Sequence, residues 1–342
     1  MDDRGIPLVA LLGAPRSGTS WLQSLIADDD RVVSPQETSL FSRYVAPLDE
    51  AWHAARRSSN EEWARRRFTG LAAVLTEEEF VAAVREFVAV ALNGALCLEP
   101  GATVVLEKTP AHSLSAPLLA KYSPGPVRFL HIVRDGRDVT ASLVAASSGW
   151  GAAWAPRTVP TAASMWAEYV GAAMRAREHG PYHEVRYEDL RSDGAAETLG
   201  QVLEFCGVPV PREAVAARLE RSAFDRQRTG RRTNIALGGE AAKVATDIVE
   251  PPGFFRSGSV GGWQEWDTRD RVAFDIAAGE ELRRRGYEHT DAWLGPAREV
   301  DRERRRARRR RQIARILRAG SSRLRQAADS IDPRRGSAVQ SR

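Results

Sequence analysis

An apolar run that leads into a glycine-bounded turn constrains the fold of this chain more than any other feature. Residues 7–12 (PLVALL) are apolar, residues 13–20 (GAPRSGTS) read as a turn, and apolar residues then recur with helical spacing over residues 21–26. A short apolar run is typical of a buried parallel strand, and the spacing after the turn predicts a helix. Parallel strands need crossover connections, so this strand–turn–helix unit predicts an α/β fold.

Further strand candidates extend this prediction to a whole sheet. They are residues Val32–Val33, 103–107 (TVVLE), Val127–Val133 (VRFLHIV) and 183–187 (HEVRY). Helical segments separate them, and such alternation predicts a central parallel sheet with helices on both faces, a three-layer architecture like that of phosphate-loop proteins.

The composition narrows the classes of protein that fit. The chain has 342 residues and is 43% hydrophobic, which is enough to fill a core. It has no run of about 18 uncharged apolar residues, so we expect no membrane-spanning helix. The first residues are acidic and lead directly into the turn, unlike a signal peptide. The two cysteines, Cys97 and Cys206, indicate neither a metal site nor a disulfide framework, so a cytoplasmic location is expected.

Charge is distributed unevenly along the chain. Residues 298–342 contain sixteen arginines and five acids, whereas the whole chain has a net charge of +5. We therefore predict a domain over residues 1–295 and a basic tail, helical or disordered, over residues 296–342. The tail fits contact with an anionic membrane surface or a solvated helix, and nucleic acid fits less well. The oligomeric state is not readable from the sequence.

The turn has the glycine spacing of a phosphate-binding loop but lacks its lysine. The pattern G-x-x-x-x-G-K-[ST] places a lysine after the second glycine, where this chain has Thr19. Ser20 occupies the hydroxyl position, and Arg16 supplies a cation three residues before Thr19. Backbone N–H groups of residues 17–20 and the dipole of the following helix predict a site for a tetrahedral anion.

The ends of two later strands are basic where a magnesium-dependent hydrolase needs a carboxylate. Residues 103–107 lead into Lys108, and Val127–Val133 leads into Arg134. We therefore expect charge neutralisation by cations, without a metal.

Four motifs together resemble the sulfotransferases that use 3′-phosphoadenosine 5′-phosphosulfate (PAPS). The first two are residues 15–22 (PRSGTSWL) and 131–143 (HIVRDGRDVTASL), and they are followed by residues 185–190 (VRYEDL) and 256–263 (RSGSVGGW). Their order is consistent over roughly residues 7–290. The last motif departs at Ser257, where a lysine is usual in the cytosolic branch.

The resemblance implies a nucleotide site with two anion-binding regions. It places the 5′-phosphosulfate in the first loop and the 3′-phosphate on Arg134 and Ser142, with Tyr187 near the nucleotide and a late loop closing over it. Arginine suits a phosphate because its guanidinium donates two parallel hydrogen bonds. The residues implied in cofactor binding are Pro15, Arg16, Ser17, Gly18, Thr19, Ser20, Trp21, Arg134, Ser142, Tyr187, Arg256 and Gly258.

The same resemblance suggests catalytic roles. Sulfuryl transfer is an in-line displacement, and Lys108 and Arg16 are candidates to stabilise the leaving oxygen. The cytosolic branch has a catalytic histidine where this chain has Pro110. Glu37 lies where the protein-tyrosine and heparan-type enzymes have a catalytic glutamate, so we interpret Glu37 as the general base. His112 is the alternative base, and a helix-capping role is the structural alternative for Glu37.

The acceptor is the least defined part of the prediction. A hydroxyl on a carbohydrate, a glycolipid, a natural-product phenol or a peptide tyrosine fits. A carbohydrate or a lipid-linked sugar is favoured, because the rings of Trp150, Trp154 and Trp166 could stack on sugar rings. Core packing explains these tryptophans equally well. Residues 226–253 have few periodic apolar positions and are predicted to form a lid. A phosphate-loop kinase for small molecules and a non-catalytic nucleotide-binding module are the alternative functions.

Overall fold

The computed structural model has one parallel five-stranded sheet at its centre, and it describes residues 5–58, 70–221, 231–232, 248–249, 254, 258 and 260–331. The strand order is β2-β3-β1-β4-β5, and every pairing in this sheet is parallel. The strands are β1 (Leu8–Leu12), β2 (Val32–Val33), β3 (Val104–Glu107), β4 (Val127–Val133) and β5 (Tyr182–Arg186).

The predicted α/β class is confirmed, and the central strand shows why. All residues of β1 are buried. Leu8, Ala10 and Leu12 belong to the apolar cluster on one face of the sheet, whereas Val9 and Leu11 belong to the cluster on the other face. A strand buried on both faces has no polar face, which explains the uninterrupted apolar run in the sequence.

Helices cover both faces of the sheet. One layer packs α2, α3 and α4 against β1, and the opposite layer contains α1, α7 and α8. A third apolar cluster joins α5, α6 and α9. The helices are α1 (Thr19–Ile26), α2 (Ala46–Ser58), α3 (Glu77–Leu96), α4 (Ala116–Tyr122), α5 (Gly136–Ala146), α6 (Val159–Arg175), α7 (Ala195–Phe205), α8 (Arg212–Arg221), α9 (Thr268–Arg284) and α10 (Ala297–Ile331).

Short helical turns connect several of these elements. A π-helical turn spans Leu40–Val45, and 3₁₀ turns span Gly70–Ala73, Pro110–Leu114, Ala176–Glu178, Asp189–Arg191, Gly262–Glu265 and Ala292–Leu294.

A buried tryptophan fixes the connection between β4 and α5. The Trp166 side chain is fully buried, and its Nε1 donates a hydrogen bond to the Arg134 carbonyl at 3.2 Å. A Cβ atom at Gly136 would lie 2.5 Å from the Trp166 ring, so only glycine permits this close packing. Trp166 is therefore a core residue, which agrees with the core-packing explanation and not with stacking on a sugar.

The basic tail is helical in the part that the structure describes, and its first turns pack on the domain. Arg304 on α10 forms ion pairs with Asp275 at 3.2 Å and with Asp291 at 2.9 Å. Val300 on the same helix is buried. The boundary at residue 295 stays a prediction.

Much of the predicted lid, residues 226–253, lies outside the described residues. Within it, β6 (Arg231–Arg232) and β7 (Ile248–Val249) pair in an antiparallel manner. None of the described helices combines the length and the apolar character needed to cross a bilayer. The described residues also include no cluster of three or more His, Cys, Asp or Glu side chains suited to hold a metal ion.

Candidate active site

The carboxyl ends of all five strands meet at one edge of the sheet, and the predicted site residues follow them. The glycine turn follows β1 and Glu37 comes after β2, while Lys108, Arg134 and Tyr187 follow β3, β4 and β5. This edge is where open α/β sheets bind their ligands.

The turn after β1 has the backbone geometry of an anion cradle. Arg16 and Gly18 both have left-handed backbones, with φ of 76° and 95°. Gly18 is the N-cap of α1, and the first N–H groups of a helix have no acceptor within the helix. A Cβ at Gly18 would lie 2.5 Å from the Tyr187 ring, so this position requires glycine. The geometry of the turn therefore suits the binding of an anion at the start of α1.

A buried hydroxyl in this turn supports that interpretation. Ser17 is fully buried, and its Oγ has no hydrogen-bond partner among the described residues. An unpaired buried hydroxyl is costly, so a ligand atom that bonds to it would be stabilising. Thr19 is buried behind the turn, while Pro15 and Ser20 are half-buried at the turn itself.

Four predicted residues from distant parts of the chain form one group, which we call the arginine cluster (Arg16, Arg134, Ser142 and Tyr187). Arg134 Nη1 donates to the Arg16 carbonyl at 3.2 Å, and Arg16 Nε donates to Ser142 Oγ at 3.1 Å. The Arg134 guanidinium lies 4.4 Å from the centre of the Tyr187 ring. The two cations predicted at separate ends of the nucleotide are thus close together.

Tyr187 also contacts the first and last motifs. The Trp21 ring meets it edge-on, with centroids 5.6 Å apart, and its hydroxyl donates to the Gly258 carbonyl at 3.0 Å. Arg256 lies outside the described residues, so its predicted role stays a prediction.

The Arg16 side chain is held from the other side by aromatic residues. Its guanidinium lies 5.2 Å from the Trp150 ring centre and 4.8 Å from that of Phe254, and it donates to the Phe254 carbonyl. Trp150 therefore packs against a cation, and of the three tryptophans considered for sugar stacking only Trp154 is largely exposed.

The remaining predicted catalytic residues form an ion pair. The Lys108 side chain is 2% exposed, and its Nζ is hydrogen-bonded to Glu37 Oε1. The Glu37 side chain is 41% exposed, so the pair joins a buried ammonium to a carboxylate that reaches solvent. A buried ammonium needs such a partner to offset its desolvation.

A buried carboxyl group that the sequence analysis missed supports the segment that carries Glu37. Thr109 Oγ1 donates to Glu107 Oε1 at 2.7 Å and accepts from the Ser39 N–H at 3.2 Å. Thr38 is also hydrogen-bonded to Glu107. The sequence did contain a signal for this residue, since Glu107 ends the apolar run that precedes Lys108. An acid at the end of a buried strand is itself expected to be buried.

His112 has a structural role in the same region. It is 1% exposed, and its Nε2 accepts a hydrogen bond from the Phe41 N–H at 3.2 Å. Burial lowers the pKa of His112 to about 3. An imidazole whose acceptor nitrogen is already engaged is a poor general base.

The late motif is fixed to α5 by another residue without a predicted role. Asp138 accepts the Gly261 N–H at 2.8 Å and the Trp263 N–H at 3.3 Å. The Arg137 guanidinium lies 3.7 Å from the Trp263 ring centre and is paired with Asp135 at 2.8 Å. These contacts fix Gly261 and Trp263, at the end of the late motif, to the first turn of α5.

Comparison with protein families identifies the chain. The model of the Sulfotransferase family matches residues 7–212, which include Glu37, Lys108 and the arginine cluster. The chain belongs to this sulfotransferase family. Sulfuryl transfer is the reaction of that family, and the resemblance drawn from the sequence motifs is confirmed at this level.

Several solved sulfotransferase structures are similar to the chain. Mouse sulfotransferase SULT7A1 complexed with PAP is 14% identical, with 88% of this chain and 91% of that chain covered and a TM-score of 0.49. A sulfotransferase domain from the curacin biosynthetic pathway is 17% identical, with coverages of 75% and 88% and a TM-score of 0.45. A sulfotransferase from Alicyclobacillus acidocaldarius is 15% identical, with coverages of 84% and 99% and a TM-score of 0.41.

The buried Glu107 predicts a pH-dependent stability. Burial raises the pKa of its carboxyl group to about 7, above the value of about 4.3 for an unfolded chain. The folded state therefore binds this proton more tightly, and the contribution of Glu107 to stability falls as the pH rises from about 4.3 to about 7. For Glu107→Gln, the free energy of unfolding relative to wild type should rise by roughly 2–3 kcal/mol from about pH 5 to pH 8.

Denaturant unfolding at the two pH values measures this difference. Glu78→Gln on the exposed surface of α3 is the matched control and should show no such change. If the free energy of unfolding of Glu107→Gln relative to wild type were as independent of pH as that of the control, the buried Glu107 carboxyl would not bind a proton in this pH range, and the assignment would be contradicted.

Proposed function

We propose that this sulfotransferase transfers a sulfuryl group from PAPS to a hydroxyl on an apolar acceptor, by in-line displacement. The observation that carries the proposal is the meeting of Arg16, Arg134, Ser142 and Tyr187 beside the glycine turn. It supports a donor with anionic groups at both ends of one nucleoside, because the turn and the cluster offer adjacent sites for anions.

In this proposal, the 5′-phosphosulfate lies on the N–H groups at the start of α1 and on the Ser17 hydroxyl. The 3′-phosphate is bound by Arg134 and Ser142. Arg134 already lies over the Tyr187 ring, which supports a fixed direction for its guanidinium. Arginine bound in this way donates to a phosphate with little loss of conformational freedom.

Lys108 and Glu37 supply the chemistry at the sulfur atom. As the acceptor oxygen bonds to sulfur, the bond from sulfur to the nucleotide oxygen breaks and negative charge grows on that oxygen. The Lys108 ammonium is the cation we assign to this charge, and Arg16 supports it from the turn. Glu37 takes the acceptor proton, and its contact with the Lys108 ammonium supports a fixed position for its carboxyl group.

A cavity beside Glu37 supports an apolar acceptor. Its volume is about 250 Å³, and it lies between the segment that carries Glu37 and helix α3. Thr38, Glu107 and Tyr44 carry the polar groups of its lining. The remaining lining is aliphatic and aromatic: Pro35, Leu40, Phe87, Ala91, Leu92, Ala95 and Val105.

Such a lining favours an acceptor whose hydroxyl is attached to a hydrophobic body, such as a natural product or the lipid part of a glycolipid. Among the described residues that line it, Thr38 and Glu107 are hydrogen-bonded to each other and Tyr44 adds one hydroxyl, so the cavity offers few contacts for the many hydroxyls of a free sugar. A free carbohydrate is therefore disfavoured.

Replacing Glu37 tests the assignment of the base. Glu37→Gln keeps the size of the side chain and its acceptor oxygen near Lys108, but it cannot take a proton. We expect kcat to fall by about 10²- to 10⁴-fold, the usual contribution of a general base. The dissociation constant for adenosine 3′,5′-bisphosphate, measured by calorimetry, should stay unchanged. Glu86→Gln on exposed α3 is the control, and wild-type turnover in Glu37→Gln would refute the role.

Filling the cavity tests the acceptor class separately. Ala91 lines the cavity and Ala83 lies on the same helix outside it, and both side chains are exposed. Overfilling of a packed site costs about 1–3 kcal/mol, so Ala91→Phe should lower kcat/KM for a hydrophobic alcohol by roughly fivefold to a hundredfold. Nucleotide affinity should not change. Equal kinetics for Ala91→Phe and Ala83→Phe would exclude this cavity as the acceptor site.

A further inference from the structure

A second cleft, distinct in its lining from the candidate active site, lies between α6, α9 and α10. Its volume is about 460 Å³, and no residue of the arginine cluster, nor Glu37 or Lys108, lines it. We call it the basic cleft. Its apolar lining consists of Val144, Val159, Pro160, Val272, Ala273, Ile276, Ala277 and Ala307, and its cations are Arg157, Arg269, Arg306, Arg310 and Arg311.

The cleft has an excess of positive charge that nearby carboxylates do not neutralise. Asp270 and Glu303 are the acids in its lining, against five arginines. Glu303 pairs with Arg306 at 2.6 Å. Across the part of the chain that the structure describes, the other four lining arginines have no carboxylate within ion-pair distance. This imbalance favours an anionic ligand.

One face of α10 forms a wall of the cleft. Its lining residues are Glu303, Arg306, Ala307, Arg310 and Arg311, and this spacing of three, four, seven and eight residues places them along one side of a helix. The cations of α10 therefore share one side of the helix, and aliphatic residues of α9 line the same cleft.

Ion pairs near its start attach α10 to the domain. Arg304 and Arg283 both pair with Asp275 and Asp291, which ties α10 to α9 and to the turn after it. Thr268 Oγ1 also donates to Glu299 at 2.9 Å. The first turns of α10 are thus held against the domain, and the cleft is part of the folded structure.

We propose that the basic cleft binds an anionic phospholipid at a membrane surface. The phosphate contacts Arg306 and Arg310, and an acyl chain lies on Val272 and Ile276. The arginines suit a charged head group, and the aliphatic residues, which form the apolar floor of the cleft, suit an apolar chain. Inorganic phosphate would make no contact with this apolar floor. The site lies outside the chemistry proposed above and does not depend on it.

Two features favour a membrane over a nucleic acid as the partner. No aromatic residue lines the cleft, and single-stranded nucleic acids are usually bound by aromatic side chains that stack on bases. In addition, the sequence from Arg304 to Arg325 contains eleven arginines and no acid, so α10 continues as a basic helix suited to an anionic bilayer surface.

Vesicle sedimentation with the full chain tests the proposal. The vesicles contain phosphatidylcholine alone or phosphatidylcholine with phosphatidylglycerol. The test variant is Arg306→Gln with Arg310→Gln, and the matched control is Arg305→Gln with Arg309→Gln. The control pair lies on the same helix, is exposed and removes the same charge, but it does not line the cleft.

The wild type is expected to sediment with anionic vesicles and to remain in solution with phosphatidylcholine alone. Loss of two arginines near an anionic surface weakens binding by about thirtyfold, whichever pair is removed. The test variant also loses the charge-assisted contacts with the lipid phosphate, so it should bind at least about tenfold more weakly than the control. Ile276→Asp, which adds a carboxylate to the apolar floor, should also lose binding. Unchanged nucleotide affinity and thermal unfolding verify that all variants are folded.

Several results would overturn the proposal. The first is a wild type that does not bind anionic vesicles, and the second is an equal loss of vesicle affinity in the test and control variants. The third is displacement of the protein from vesicles by inorganic phosphate at the same phosphate concentration. Binding of duplex DNA that competes with vesicles and depends on Arg306 and Arg310 would assign the cleft to a nucleic acid instead.

Discussion

The contact between Gly18 and the ring of Tyr187 is the constraint on which the rest of the site depends. The ring occupies the space that a side chain at residue 18 would need, and the left-handed backbone there starts helix α1. The same ring supports the Arg134 guanidinium, and its hydroxyl reaches Gly258. One aromatic residue therefore sets the relative positions of the turn, the arginine after β4 and the late motif, which come from three separate parts of the chain.

A second set of contacts does the same for Lys108 and Glu37, the groups proposed to act at the sulfur atom. Lys108 is buried and needs the Glu37 carboxylate, and Glu37 is carried by a segment that Glu107, Thr109 and His112 hold through hydrogen bonds. In a site of low dielectric, a charge held in this way is stabilised in advance, and little reorganisation is needed when charge develops on a substrate. The buried residues Glu107, Thr109 and His112 thus hold the segment that carries Glu37 in position.

The sequence predicted the scaffold well because the relevant signals are local. Residues Val127–Val133 read as a strand from their own apolar pattern, and the glycine turn could be recognised from its spacing. The strand predicted at 183–187 was displaced by one residue, so Tyr187 lies just after β5, where its ring reaches Gly18. The family and the parallel sheet were accordingly predictable from a single chain.

Contacts between distant residues were not predictable in the same way. Glu107 looked like the end of a strand, and only the folded structure places it against Thr38 and Thr109. Trp166 looked equally suited to a ligand or to the core, and its packing on Gly136 decides for the core. The pairing of Lys108 with Glu37 joins residues 71 positions apart, and no local pattern encodes such a distance.

The most direct test of the account is a crystal structure with adenosine 3′,5′-bisphosphate bound. We predict that the 5′-phosphate contacts the N–H groups of residues 17–20 and the Ser17 hydroxyl, while the 3′-phosphate contacts Arg134 and Ser142. A nucleotide bound elsewhere, or one whose 3′-phosphate lies away from Arg134 and Ser142, would contradict the account.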